Sequence, residues 1–454
     1  MMHTIVEKQR HFFASGKTRD LAFRTKQLKK LERALLDHEQ EILDALHRDL
    51  GKPAHEAYWS EIYYALQEIS LAITNLPCWV KPQHVSTPWY LVPSRSFIVH
   101  EPRGTVVIFA PWNYPFQLSI VPLIGALAAG NCAIIKPSEY APATSALLAK
   151  IVKALFDSAY ITVVEGDAEK AASLLQEKFD YIFFTGSTAV GKKVMTAAAQ
   201  HLTPLTLELG GQNPCIVTAD VPLDITAQRI VRGKFSNMGQ SCLAPNYLLV
   251  HASIKNDLVE HIKKYITGWY GDHEKNQRLV NEHHFNRVLT FLSDATILAG
   301  GVVDHSRRYI SPTLLENLKP SHPVLHEEIF GPILPIITYH SLDEVQAFLA
   351  TRPKPLALYL FSNNRQQQNQ ILAGTSSGGV CINDISLQFY NHALPFGGVG
   401  DSGFGAYHGK KSFLTFSHAK SVVKNSWAPS VKNLFMRGLN PWLKKIASWL
   451  LTLH

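Results

Sequence analysis

From Gly104 onward the chain repeats one rhythm, a short apolar run rich in β-branched residues followed by a longer Ala/Leu-rich stretch. The runs fall at 105–110, 132–135, 161–164 and 181–184. Runs this short and this apolar suit strands covered on both faces, and their alternation with helical stretches predicts a parallel β-α-β sheet. A second α/β series after Gly211 includes 246–251, 334–338 and 356–361. It ends in the glycine-dense loop Phe396-Gly397-Gly398-Val399-Gly400-Asp401-Ser402-Gly403-Phe404-Gly405. Ahead of Gly104, Leu21, Leu28, Leu31, Leu35, Ile42 and Leu46 recur near helical spacing and predict charged amphipathic helices over about 18–75. Pro82, Pro88 and Pro93 then lead to Ser96-Phe97-Ile98-Val99-His100, read as a protruding hairpin or strand. The expected fold class is α/β, without internal repeats.

A chain of 454 residues has room for two or three domains, and 46% apolar with 18% charged residues describes an ordinary globular protein. The formal charge of +8 is spread along the chain, not gathered into a block, which speaks against a nucleic-acid partner. Five cysteines without paired spacing point to a reducing compartment. The start Met1-Met2-His3-Thr4-Ile5-Val6-Glu7-Lys8 lacks an apolar signal core. The apolar stretch 120–129 falls short of the ~20 residues a bilayer needs. A cytoplasmic body is expected.

Two residues carry chemistry. Cys242 sits in Asn237-Met238-Gly239-Gln240-Ser241-Cys242, a short polar turn where a thiol can act as an exposed nucleophile. Glu208 closes the apolar run Leu205-Thr206-Leu207 ahead of Gly210-Gly211, and a partly desolvated acid at a strand end can act as a base. The pair suggests covalent thiol chemistry followed by hydrolysis. Cys132, Cys215 and Cys381 lie in or beside apolar runs and read as core.

The run 181–185 is followed by Gly186-Ser187-Thr188-Ala189-Val190-Gly191-Lys192-Lys193, a strand–turn–helix able to aim backbone N–H groups at a phosphate. Lys193 stands where a P-loop needs its Mg²⁺-binding hydroxyl, which weighs against a nucleotide triphosphatase. A tight connection without a ligand is the competing reading. Lys136 and Glu139 in Lys136-Pro137-Ser138-Glu139 suit the hydroxyls of an adenosine ribose, or equally a solvated turn. Among 21 histidines there is no H-E-x-x-H, and Pro323 between His322 and His326 argues against a helical metal pair, so no metal is expected. His283-His284 reads as part of a solvated polar helix.

In this order these pieces resemble the aldehyde dehydrogenase superfamily, and within it the class 3 branch that includes fatty aldehyde dehydrogenases. The resemblance runs from Ser15-Gly16-Lys17-Thr18-Arg19 to Tyr407-His408-Gly409-Lys410-Lys411-Ser412-Phe413. It is carried by Pro111-Trp112-Asn113-Tyr114-Pro115, the Lys136–Glu139 turn, Phe184-Thr185-Gly186-Ser187, Leu207-Glu208-Leu209-Gly210-Gly211, Gly239-Gln240-Ser241-Cys242 and Glu328-Ile329-Phe330-Gly331-Pro332. Ser241 replaces the Thr of many relatives and keeps the hydroxyl.

The resemblance implies oxidation of medium- or long-chain aliphatic or aromatic aldehydes to acids through a Cys242 thiohemiacetal and thioester. Asn113 would hold the oxyanion and Glu208 would activate water. It implies NAD, with NADP accepted by many class 3 relatives. The contacts would come from Lys136 and Glu139, from Gly186, Ser187 and Gly191, and from Glu328 and Phe330. His408 resembles a class 3 feature on the substrate side, or serves a structural hydrogen bond.

It further implies a cofactor domain over 1–80 and 101–207, an oligomerisation segment over 81–100 and 410–430, a catalytic domain over 208–409, and a homodimer. In the tail 431–454, positions 442, 443, 446, 449, 450 and 453 share one helical face, with Lys444 and Lys445 opposite. That pattern suits peripheral membrane contact, or packing on a partner subunit or over a substrate tunnel. Two other readings stay open. A non-catalytic binding role leaves Cys242, Glu208 and Asn113 unexplained, and an acyl-phosphate reductase would need no base at Glu208.

Overall fold

The computed structural model describes residues 2–271, 277–428 and 430–436, with Trp442, Lys445 and Trp449 beyond them. Three larger sheets and one two-stranded ribbon organise the described residues. The first strands are β1 (Gln83–Val85) and β2 (Arg95–Pro102), followed by β3 (Thr105–Phe109), β4 (Cys132–Lys136), β5 (Ile161–Val163), β6 (Tyr181–Thr185) and β7 (Leu205–Glu208). After them come β8 (Pro214–Val217), β9 (Tyr247–His251), β10 (Thr296–Ala299), β11 (Val303–Asp304), β12 (Tyr309–Ile310), β13 (Thr313–Glu316) and β14 (Ile333–Tyr339). The last are β15 (Ala357–Phe361), β16 (Gly379–Ile382), β17 (Gly403–Phe404) and β18 (Ser417–Lys424).

The first α/β unit is a six-stranded sheet in the order β17-β7-β6-β3-β4-β5, parallel except for β17. Every residue of β3 is buried, because helices cover both faces. Val106 and Ile108 join the cluster that holds Ile120, Leu123 and Leu127 of the helix Gln117–Ala129. Val107 and Phe109, pointing the other way, join Val6 of the helix Met2–Ala14 and Val194 of the helix Thr188–Ala199. The strand order reverses between β3 and β6, which opens a crevice beyond their C-terminal ends. The residues after those ends are Asn113 on one side and Gly186 and Ser187 on the other.

The second unit is a seven-stranded sheet, β10-β13-β14-β9-β8-β15-β16, with only β10 antiparallel. A third sheet, β1-β2-β18, joins β2 to β18 in an antiparallel ribbon from Ser417↔Pro102 to Lys424↔Arg95.

Two features depart from the sequence expectation. The helix Met2–Ala14 was not foreseen, since its buried Met2, Val6 and Gln9 form too thin an apolar stripe to stand out. Strand β17 falls inside the stretch read as a glycine-dense loop and pairs with β7, Gly403 lying opposite Glu208. Beyond Met436 the amphipathic face expected of the tail lies outside the described residues. Among the described residues no helix is long and apolar enough to cross a membrane.

Candidate active site

Glu208 ends β7 with its side chain buried, and neither carboxyl oxygen has a hydrogen-bond partner. Its backbone carbonyl accepts from Gly186 N–H at 3.0 Å, which ties the turn after β6 to the base of the site. Burial alone holds the Glu208 carboxyl well above the usual glutamate range.

Cys242 lies in the loop between the helix Leu223–Phe235 and β9. Asn237, Met238 and Gly239 take successive left-handed φ values of 52°, 55° and 69°, an unusual run that folds the loop back on itself. At Gly239 a Cβ would meet the Gly331 carbonyl at 2.2 Å, so only glycine fits. The run is held by side chains. Asn237 Nδ2 donates to the carbonyls of Asn113 and Gln240, both at 3.0 Å, while Glu56 accepts from Asn237 N–H at 2.7 Å. Asn213 Nδ2 donates to Cys242 O at 2.6 Å and to Ala244 O at 3.1 Å.

Asn113 Nδ2 donates to Gln240 O at 3.1 Å, so its amide reaches the cysteine loop. Behind it a fully buried Lys52–Glu61 ion pair fixes the segment. Lys52 Nζ donates to Asn113 O at 3.2 Å and sits 4.2 Å from the centre of the Tyr114 ring. Glu61 accepts from the N–H groups of Phe116 and Gln117 at 2.9 and 3.0 Å, at the start of the helix Gln117–Ala129.

The thiol is not exposed as the polar turn had suggested. Cys242 is half-buried and lines a cavity of about 100 Å³ with Thr185, Glu208, Gln117, Phe396 and Tyr407. Burial, then the Glu328 and Glu208 carboxylates, push the thiol's pKa up. Ser60, Tyr114, Ser236 and Tyr390 border both this cavity and a wide cleft of about 1850 Å³ that opens outward, giving a route to the sulfur.

Glu328 is half-buried against Gly210, whose backbone would admit no Cβ beside it (2.2 Å), and its carboxyl is pushed up to about 7, mainly by desolvation. Gly211 N–H, Arg287 and Lys234 oppose that shift. Phe330, also at left-handed φ, packs edge-on to Trp112 at 5.4 Å. Its carbonyl bonds His284 Nε2 at 2.7 Å. Here the sequence expectation fails, for His284 is buried against Trp112 and burial pushes its pKa down to about 4.

Ser187 caps the helix Thr188–Ala199, its hydroxyl accepting from Val190 N–H, and the N–H groups of that helix's first turn face the crevice end. Gly191 lies inside the helix, against Leu209. Lys136 ends β4 buried, donating to Pro137 O at 2.7 Å and reaching Glu139 at 3.5 Å. Lys136 and Glu139 do not line the cysteine cavity; they stand at and just past the C-terminal end of β4, which pairs with β3. This donor set fits a dinucleotide: a helix N-terminus for the pyrophosphate, a cation and carboxylate at one end, and a buried acid beside the thiol at the other. Lys52, Glu61, Asn237, Gln240 and Asn213 were not read from the sequence, because nothing local marks a residue whose partner is a distant backbone carbonyl.

The profile of the aldehyde dehydrogenase family covers residues 2–422. The chain belongs to the aldehyde dehydrogenase family. It is 48% identical over 421 residues to 4,4'-diaponeurosporen-aldehyde dehydrogenase of Staphylococcus aureus, covering 91% of this chain and 92% of that protein. It is 46% identical to the dimeric, NADP-preferring aldehyde dehydrogenase of Rattus norvegicus, covering 93% and 94%. Relatives also include the family 3 member A2 enzyme of Pongo abelii, at 45% over 94% and 88%. The substrate-bound structure of Staphylococcus aureus AldH superposes with a TM-score of 0.93 at 44% identity, covering 96% and 99%. This aldehyde dehydrogenase is thus an NAD(P)-dependent oxidoreductase that converts aldehydes to acids, on the fold expected of its class 3 branch.

Proposed function

We propose that Cys242 is the nucleophile, Glu208 the deacylating base and Asn113 an oxyanion donor. The observation that carries this is one enclosed cavity holding the thiol and an unpartnered, buried carboxyl, with the Asn113 amide anchored at its wall. The Cys242 thiol passes its proton to water and its sulfur adds to the aldehyde carbon. The new oxyanion takes a hydrogen bond from Asn113 Nδ2 and another from Cys242 N–H, each donor worth roughly 2.7–4 kcal/mol. The bound cofactor supplies the acceptor for the hydride that leaves that carbon. Water then adds to the thioester, Glu208 takes its proton, and the C–S bond breaks to release the acid and the thiolate.

Gly186, Ser187 and Gly191 support the pyrophosphate turn, Lys136 and Glu139 the adenosine ribose, and Glu328 and Phe330 the nicotinamide end. The Glu139 carboxylate would repel a 2′-phosphate, so NAD is the preferred cofactor, and Glu139→Gln should raise the NADP/NAD ratio of kcat/KM. The broad outer cleft suits medium- or long-chain or aromatic aldehydes. The six-stranded unit is assigned to the cofactor, the seven-stranded unit to the thiol, and the third sheet to a homodimer like the one the rat relative's name describes. The basic, Trp-bearing tail is assigned to reversible contact with anionic membranes. Liposome co-sedimentation that does not change on removing 436–454 would sink that assignment.

The deciding experiment is NADH formation from NAD and a graded series of aldehydes. Native protein should turn over with a chain-length optimum, and Cys242→Ala should yield none. Turnover in Cys242→Ala would refute the assignment.

A further inference from the structure

The wall of the catalytic cavity carries more polarity than thiol attack requires. Besides both oxygens of Glu208, three buried polar atoms on that wall have no hydrogen-bond partner among the described residues: Tyr407 Oη, Thr185 Oγ1 and Gln117 Nε2. Tyr407, fully buried, follows β17, and Gln117, 2% exposed, opens the helix Gln117–Ala129. Each such group costs about 1–3 kcal/mol if left unsatisfied, so four residues gathered on one cavity mark a built polar site, not a packing accident.

The backbone explains how they meet. Thr185 and Glu208 are cross-strand neighbours at the ends of β6 and β7. Gly403 pairs with Glu208 on the other side, which carries the following segment beside β7. Tyr407 is then pinned by paired backbone bonds with Phe396 (3.1 and 2.9 Å) and by its ring against Phe183 at 5.0 Å. Its hydroxyl therefore has a fixed place in the wall that Thr185, Glu208 and Gln117 also line. A cavity of about 100 Å³ holds a water with room to spare, since ~10–15 Å³ of such space suffices for one.

We propose that Tyr407 holds the water that hydrolyses the Cys242 thioester, with Thr185 as its second anchor. This rests on the assignment of Cys242 and Glu208 above. The Tyr407 O–H donates to one lone pair of the water, leaving the other aimed at the acyl carbon. One water proton goes to Glu208 and the second bonds Thr185 Oγ1. Oxygen bonds to the acyl carbon, the C–S bond breaks, and the departing thiolate recovers the proton from Glu208. Gln117 Nε2 donates toward the Glu208 carboxylate that this step creates. The hydroxyl of Tyr407 acts after the aldehyde has been oxidised and takes no part in the attack of the thiol.

Tyr407→Phe removes only the hydroxyl. On rapid mixing with NAD and saturating aldehyde, the variant should keep the native rate of the first NADH turnover. Its steady-state rate should fall roughly tenfold or more, the worth of one well-placed hydrogen bond. Intact mass should show the acyl-enzyme accumulating, and hydroxylamine, a small nucleophile needing no activated water, should restore turnover as hydroxamate. Tm should hold or rise, since the hydroxyl has no protein partner to lose. A steady-state rate within about twofold of native, where Glu208→Gln is slow, overturns the proposal. So does a first turnover slowed as much as the steady state, or a fall in Tm. A native protein giving no NADH at all defeats the Cys242 assignment itself, a result no behaviour of Tyr407→Phe could mimic.

Discussion

At the scale of the residue, Glu208 shows how burial sets the working pH of a base. Its carboxyl has no partner, and desolvation holds the proton on well above the usual glutamate range. A base works only when ionised, so deacylation should rise with pH through that raised pKa. Glu208→Gln should abolish the limb and slow steady-state turnover by ~10²–10⁴, leaving a first-turnover burst. The stability sign runs the other way. A carboxyl with a raised folded pKa favours the fold while neutral, and that contribution disappears as pH climbs through the folded value. At alkaline pH, Glu208→Gln should therefore match or exceed native Tm, as pH-resolved thermal melts would show. Both Glu208 and Cys242 were legible in the sequence because their signals are local, an acid closing an apolar strand and a thiol in a glycine turn. His284 was not. Its environment comes from Phe330 and Trp112, remote in sequence, which turn an apparently solvated position into a buried support for the loop carrying Glu328.

At the scale of the element, two loops meet at the Asn113 carbonyl, and a buried ion pair decides whether they stay there. Lys52 follows the helix Glu39–Leu50, and Glu61 stands in the π-helical turn Tyr58–Tyr63, a winding that recurs at functional sites. Both side chains are fully enclosed. Lys52→Met would leave the Glu61 carboxylate facing two backbone N–H groups without its cation, so a loss of about 3–5 kcal/mol is expected. Lys52→Met with Glu61→Met should lose less stability than Lys52→Met alone. The Asn113 amide would still be released, so denaturant melts of the double variant should recover while the first-turnover rate does not. Elements with plain periodicity were read almost to the residue: the apolar run 181–185 is β6, and the stretch after it is a capped helix. The helix Met2–Ala14 and strand β17 escaped for separate physical reasons. The first buries one narrow stripe, and the second is two residues long, existing only because β7 offers it an edge.

At the scale of the whole molecule, Glu208 at the end of a six-stranded-sheet strand and the Cys242 loop ahead of β9 in the seven-stranded sheet meet at one cavity, and no residue of the third sheet lines it. Its strand β18 pairs with β2 on one side and is the outer strand on the other. Most of its residues are exposed, including Val423 at 59%. Trp427, just past its end, is fully exposed. An edge strand of this length flanked by bare apolar side chains invites strand addition unless another surface covers it. Lys420 and Lys424 on the same strand temper open-ended pairing, which suits a single two-fold contact better than a growing sheet. The proposed homodimer would use this edge, because two antiparallel copies of β18 can extend the ribbon without disturbing either catalytic unit. Val423→Asp places a charge on that edge. If the proposed dimer forms through this edge, the substitution should shift it to a particle of half the mass in light scattering after gel filtration. Glu208 ends a strand of another sheet and Cys242 lies in the loop before β9, so the first-turnover rate per site should be retained within about threefold, as expected of sites sharing no partners. A Val423→Asp protein that keeps the native mass would move the contact away from β18.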